Sequence, residues 1–144
     1  MERIAIVFLC LAMVFCFTPM MPFTDGTVTA AEASFIDMPS DWSTAALEHA
    51  VANGLLKGYD VNGGTEIRAG GNITRAEMAT VVNRAFGAKD EASLSGVADV
   101  PSGKWYASEI AKAVGMQTMT KAANMRPDDK VTRQEAFTIL ARAY

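Results

Sequence analysis

Two arginines carry the strongest chemical signal in this 144-residue chain. Each stands second in a Thr-Arg-x-Glu tetrapeptide: Thr74-Arg75-Ala76-Glu77 after Ile73, and Thr132-Arg133-Gln134-Glu135 after Val131. A planar guanidinium grips a carboxylate through two parallel hydrogen bonds. The helix N-terminus beside it favours the same anion. A cation in the first helical turn nevertheless opposes the helix dipole. Its presence there twice, against local preference, points to a partner outside the helix turn. Two partners fit: an acid of the protein (Glu77, Glu135 or one in a neighbouring unit), or a carboxylate on a ligand. Residue chemistry leaves both open. Thr74 with Glu77, and Thr132 with Glu135, have a simpler task, because Thr-x-x-Glu is a capping box in which each side chain satisfies one orphan backbone N–H.

The elements that hold these arginines recur in the same order. An acidic turn and a tryptophan precede each copy: Asp37 and Trp42, then Asp99 and Trp105. Aligned motifs of this kind mark an internal repeat. In the first unit, Ser40 or Asp41 caps a helix expected from near Trp42, with Leu47, Ala50, Val51 and Leu55 at helical spacing and Asn53-Gly54 as its stop. A glycine-rich loop follows, in which Thr65 to Arg68 reads as a short extended piece. The capped helix from Thr74 carries Met78, Val81, Val82, Ala85 and Phe86, and Gly87 ends it.

The second unit opens at Ser102 or Gly103, runs a helix through Trp105, Ile110 and Val114, and turns at Arg126-Pro127-Asp128-Asp129. Its last helix carries Ala136, Ile139, Leu140, Ala143 and Tyr144. Trp42 lies 32 residues before Thr74, whereas Trp105 lies 27 before Thr132. The five missing residues belong to the first helix, the loop, or both. The expected division is 1–31 leader, 32–88 first unit, 89–95 polar linker and 96–144 second unit. The fold class is mostly α, with short extended segments in the loops. A helix pair this small leaves an apolar stripe that must bury against its neighbour.

Ile4 to Phe17 is apolar, preceded by Arg3 and broken by Pro19 and Pro22. Small residues at Val28-Thr29-Ala30 and Ala31-Glu32-Ala33 suit a signal peptidase, so the segment reads as a cleaved export signal. Its fourteen apolar residues are short for a membrane span, which needs about 20; an uncleaved anchor is the alternative. Cys10 and Cys16 both lie in this run, behind Leu9 and Phe15, which do not suit lipid attachment. The remaining chain of about 113 residues has no disulfide framework and no thiol nucleophile. Without Glu2, Asp25 and Arg3, it keeps 14 acidic and 12 basic residues, a formal charge of −2. No basic patch for nucleic acid follows from that balance.

His49 is the only histidine, so neither a zinc site nor a Ser-His system has the residues it needs. Asp60-Val61-Asn62-Gly63-Gly64-Thr65 echoes a calcium loop but fails it at Gly64, Thr65 and Gly71, where Asp or Asn, Gly and Glu are required. Asp128-Asp129 reads as a turn. No catalytic residue, metal site or cofactor is expected. Trp42 and Trp105 are expected half-buried at helix starts, packing into the core, with a sugar-stacking face as the alternative. Asp37 and Asp99 suit either turns or sugar hydroxyls. Gly54 and Gly58 suit caps and turns or a close backbone approach to a ligand.

The ordered set resembles the surface-layer homology repeat. Unit one supplies Phe35-Ile36-Asp37, Trp42, Gly54-Leu55-Leu56-Lys57-Gly58, Ile67-Arg68-Ala69 and Ile73-Thr74-Arg75-Ala76-Glu77. Unit two supplies Val97-Ala98-Asp99, Trp105, Met125-Arg126-Pro127 and Val131-Thr132-Arg133-Gln134-Glu135. Ala69 replaces the family's proline, Val97 its leading aromatic, and Met119 falls where a second loop glycine is expected. Family members usually carry three repeats in a pseudo-threefold arrangement around a central helical bundle. This chain has two, so a third comes from a longer chain or another copy, or the pair settles differently.

The resemblance implies that the chain is exported to a bacterial surface and held non-covalently on the cell wall. The implied ligand is an anionic secondary wall polysaccharide, often bearing a pyruvate ketal, bound by Arg75, Arg133, Asp37, Asp99, Trp42, Trp105 and Gly58. The alternatives are the wall-targeting part of a larger polysaccharide-degrading enzyme, or a structural protein that assembles through its open helix stripes.

Overall fold

The structure is a computed structural model, and it describes residues 35–144. The expected leader (1–31) and both cysteines lie outside the described residues. Four helices and one small hairpin make up the rest: α1 (Thr44–Ala52), β1 (Tyr59–Val61), β2 (Gly64–Glu66), α2 (Arg75–Phe86), α3 (Ala107–Gly115) and α4 (Arg133–Ala143). The chain is mostly α, as its periodicity indicates. No helix among the described residues is long and apolar enough to cross a membrane.

Local chemistry sets the helix starts. Both capping boxes form: Thr74 Oγ1 accepts from Glu77 N at 3.2 Å while Glu77 Oε2 accepts from Thr74 N at 2.7 Å. The Thr132–Glu135 pair repeats this at 3.2 and 3.0 Å. Neither tryptophan opens a helix, contrary to expectation. Asp41 Oδ1 accepts from Ser43 N and Oγ, which folds residues 41–43 into a turn, and α1 starts only at Thr44. In the second unit a turn through Lys104 N and Pro101 O delays α3 to Ala107.

The length difference between the units is confined to the loop. Both first helices have nine residues. Their C-terminal bonds match at a constant offset: Gly54 N to Val51 O and Leu56 N to Ala50 O recur as Gln117 N to Val114 O and Met119 N to Ala113 O. Gly54 and Gln117 both have left-handed backbones, with φ of 69° and 61°. Met119 therefore corresponds to Leu56, a packing residue, and is itself 4% exposed. It is not the replaced glycine of the sequence reading. The two units come back into step at Ile67 and Met125. Between these points unit one has ten residues (57–66) and unit two five (120–124). The extra five allow the β1–β2 hairpin, paired Tyr59↔Glu66 to Val61↔Gly64 about an Asn62-Gly63 turn. Asn-Gly is a strong hairpin signal.

The core does not sit within either unit. Ala76, Met78, Ala79 and Val82 of α2 pack with Tyr106, Ile110, Ala113, Met119, Met125 and Ile139 of the second unit. Thus α2 lies against α3 and α4, whereas α1 buries no residue and meets no other helix among the described residues. The expected stripe on α2 is rotated: Ala76, Ala79 and Val82 face inward, while Ala85 and Phe86 are exposed. On α4, Ile139 is buried, but Leu140 and Tyr144 are exposed.

Candidate functional site

The two motif arginines have opposite fates. Arg75 points into the junction between the units. Its Nη1 meets Glu135 Oε1 at 2.6 Å and its Nε donates to Met125 O at 2.9 Å, leaving the side chain 13% exposed. The backbone completes the contact: Arg75 N donates to Asp129 O and Ala76 N to Pro127 O, both at 2.9 Å. Two of the four orphan N–H groups at the start of α2 thereby find partners in the other unit. Val131 N to Ile73 O, and an antiparallel bridge between Thr74 and Lys130, extend the seam. Arg133 is exposed. Its guanidinium lies 5.9 Å from the Phe137 ring centre and has no ion pair among the described residues. The expected matched display of two open guanidinium groups is therefore corrected. The neighbouring-unit partner, one of two open at the sequence level, is the one Arg75 has.

Asp37 and Asp99 are repeated clamps on backbone. Asp37 accepts from Ile67 N and Arg68 N at 2.6 and 2.9 Å; Asp99 accepts from Met125 N and Arg126 N at 2.8 and 2.7 Å. Each clamp fixes an arginine at positive φ, 53° for Arg68 and 52° for Arg126, a conformation L-residues adopt at a cost. Sequence reasoning missed both arginines, since their spacing matches no helical or strand pattern. Arg126 adds a second guanidinium to Glu135 Oε1, at 2.9 Å. Arg68 pairs with Glu66 instead and lies 4.5 Å from the Tyr59 ring centre.

Tyr59, on the extra hairpin, donates its hydroxyl to Glu77 Oε1 at 2.5 Å. It occupies the carboxylate oxygen that in unit two receives Arg75. Burial first, and the Glu77 carboxylate second, push the Tyr59 hydroxyl up to about 12.

Gly58 has φ 72°, and a Cβ there would lie 2.5 Å from Phe35 Cε1 and 2.7 Å from Glu66 O. It serves the hairpin's packing. The tryptophans depart furthest from the core-packing expectation: Trp42 is 92% exposed and Trp105 61%. Trp105 touches Tyr106 edge-on at 5.4 Å. Its sequence neighbour Lys104 is exposed and unpaired among the described residues. A shallow cleft of about 410 Å³ lies at the far end of α2, between Gly87, Lys89 and Gly115, and includes none of the expected site residues. Among the described residues no three His, Cys, Asp or Glu side chains gather as a metal site.

The clamps and capping boxes make the fold sensitive to acid. The amides of Ile67 and Arg68 hold the Asp37 carboxyl below its ordinary value. Burial alone would raise Asp99 and Glu77, but amide donors on Asp99, and Tyr59 with Thr74 on Glu77, outweigh it and lower both. The Thr132 amide, helped by Arg75 and Arg126, lowers Glu135. Carboxyls lowered in the native state bind fewer protons there than in the unfolded chain, so stability rises with pH through the acid range. Their contribution is complete above the ordinary carboxylate value near 4 and disappears as pH falls through the lowered native values. Urea unfolding between pH 2.5 and 7 should therefore give a plateau above about pH 5 and a decline below about pH 4. Asp99→Asn should flatten part of that decline.

The family model described as S-layer homology domain matches residues 34–79 and 98–137. The chain is 32% identical over 131 residues to a surface layer protein of Brevibacillus choshinensis, covering 87% of this chain and 11% of that protein. It is 29% identical over 118 residues to exoglucanase XynX of Acetivibrio thermocellus, covering 81% of this chain and 11% of the enzyme. With an amylopullulanase of Thermoanaerobacterium thermosulfurigenes it shares 30% identity over 114 residues, 78% of this chain and 6% of that one. The chain thus spans about a tenth or less of the length of these relatives.

Proposed function

The chain belongs to the S-layer homology domain family, whose domains anchor proteins to the cell wall, and on that premise we propose that it holds an exported protein to an anionic wall polysaccharide through its two tryptophans. The carrying observation is the exposure of Trp42 and Trp105, 92% and 61%, at equivalent places in the two units. An indole left in water beside a packed core has no structural task that explains its recurrence. A flat aromatic face suits the apolar face of a sugar ring, and its edge keeps a polar handle. Lys104 beside Trp105 supplies a cation for an acidic substituent such as a pyruvate ketal; unit one has Asp41 at the matching place, so the second platform suits the acid better. Asp37, Asp99, Gly58 and Arg75 are held by internal contacts, which weighs against their touching the ligand.

A second reading, that the chain is the wall-targeting portion of a longer polysaccharide-degrading enzyme, draws on the similarity to the exoglucanase and the amylopullulanase. In that reading too this chain binds and does not catalyse.

Sedimentation of the protein with purified walls tests the proposal. Trp42→Ala with Trp105→Ala should weaken binding about 10- to 100-fold, at about 1–2 kcal/mol for each platform. Stability should stay unchanged, and added salt should weaken binding further. Undiminished binding by the double variant, or full binding to walls stripped of the polymer, rejects it.

A further inference from the structure

The seam between the two units has a vacant duplicate on the outside of the molecule. Every group that unit one presents to unit two recurs, at one offset, on unit two. Arg75 corresponds to Arg133, and the amides of Arg75 and Ala76 to those of Arg133 and Gln134. Ala79 and Val82, 0% and 2% exposed against α3 and its neighbours, correspond to Phe137 and Leu140 at 64% and 43%. The receiving side recurs as well. Met125 O, Pro127 O and Asp129 O take the donors of α2; their counterparts in unit one, Ile67 O, Ala69 O and Gly71 O, accept no hydrogen bond among the described residues. Glu135 corresponds to Glu77, and Ile110 of α3 to Leu47 of α1. That helix buries nothing.

We propose that the α4 face of one copy docks on the α1 and 67–77 face of a second copy, repeating head-to-tail the contact that joins the two units within the chain. The internal seam is the direct precedent. It shows which chemistry each half-surface accepts, and the vacant halves are complementary in charge as well as in apolar character. Arg133 would reach Glu77 of the partner copy, with its Nε toward the Ile67 carbonyl. The Tyr59 hydroxyl on Glu77 does not exclude this, because Glu135 Oε1 already takes two donors, Arg75 and Arg126. Phe137 is larger than the alanine it replaces, so the outer seam is wider than the inner one, and Leu47 and Ala50 across from it are correspondingly open. A head-to-tail contact uses different surfaces on its two sides, so it either closes into a ring or extends.

The inference goes beyond the wall-binding reading and does not need it. Light scattering or sedimentation velocity of the purified protein over a wide concentration range tests it. The expected result is a mass that rises above the monomer with concentration. Arg133→Glu should raise the apparent dissociation constant at least about tenfold, with an unchanged circular dichroism spectrum, since an acid suits a helix start. Glu77→Gln is the second variant: glutamine keeps the capping box but removes the charge, and it should weaken association too. Trp42→Ala with Trp105→Ala should leave the mass profile unchanged. A monomer at all concentrations, or association untouched by both charge variants, overturns the inference; in the first case the face is covered by something other than a second copy. Loss of wall binding in the tryptophan variant alone bears on the polysaccharide reading and not on this one.

Discussion

Arg75→Ala lowers the stability of the fold by about 2–3 kcal/mol, while Arg133→Ala in the same motif changes it by less than about 0.5 kcal/mol. The difference follows from burial. Arg75 is 13% exposed, and its removal leaves Glu135 with one guanidinium instead of two and the Met125 carbonyl without its donor. Truncating one partner of a largely desolvated charged pair costs more than the pair contributes net, because the other charge stays behind. The figure sits below the range for full burial, since Glu135 keeps 28% exposure and can regain water. Alanine is a good helix former, so intrinsic propensity does not account for the loss. Urea unfolding of both variants, at a concentration where the protein is monomeric, measures the contrast. Equal effects at the two arginines would mean that the inter-unit seam contributes nothing.

Ile110→Ala costs about 3–4 kcal/mol and unfolds both units in one transition. Ile110 is 0% exposed and stands where α2 of the first unit meets the second. Truncation leaves a cavity walled by residues from both units, which cannot collapse without moving a helix. With total stability expected near 5–15 kcal/mol, a loss of this size lowers the midpoint steeply. The check is coincidence of probes: far-ultraviolet circular dichroism and amide exchange in α2 and α3 should follow one curve. Protection of α2 that outlasts that of α3 would show instead that the first unit stands alone.

Much of this arrangement was legible from residue types. The capping boxes, the repeat and the helical class all follow from local chemistry with short-range consequences: a threonine and a glutamate three positions apart satisfy each other wherever the helix goes. The need for each helix pair to bury a stripe on its neighbour was also legible, and α2 does so. Which face it buries was not, because Val82 and Phe86 are equally apolar and only the position of α3 distinguishes them. The tryptophans misled for a related reason: size and apolarity suggest the core, but Asp41 and Pro101 hold the chain in a turn that carries Trp42 and Trp105 outward. The clamps of Asp37 and Asp99 join residues about thirty positions apart, a pairing no local pattern encodes. The arginines were read as a matched pair because their sequence settings match. Their surroundings differ because only one of them has a neighbour to meet.

The hairpin in unit one and its absence in unit two show where this architecture tolerates a change of length. The hydrogen bonds on either side of the loop are the same in both units, so the stretch between them is a splice point whose contents do not reach the framework. Residues 120–124 are thus a natural socket for a foreign peptide displayed on the molecule's outer side.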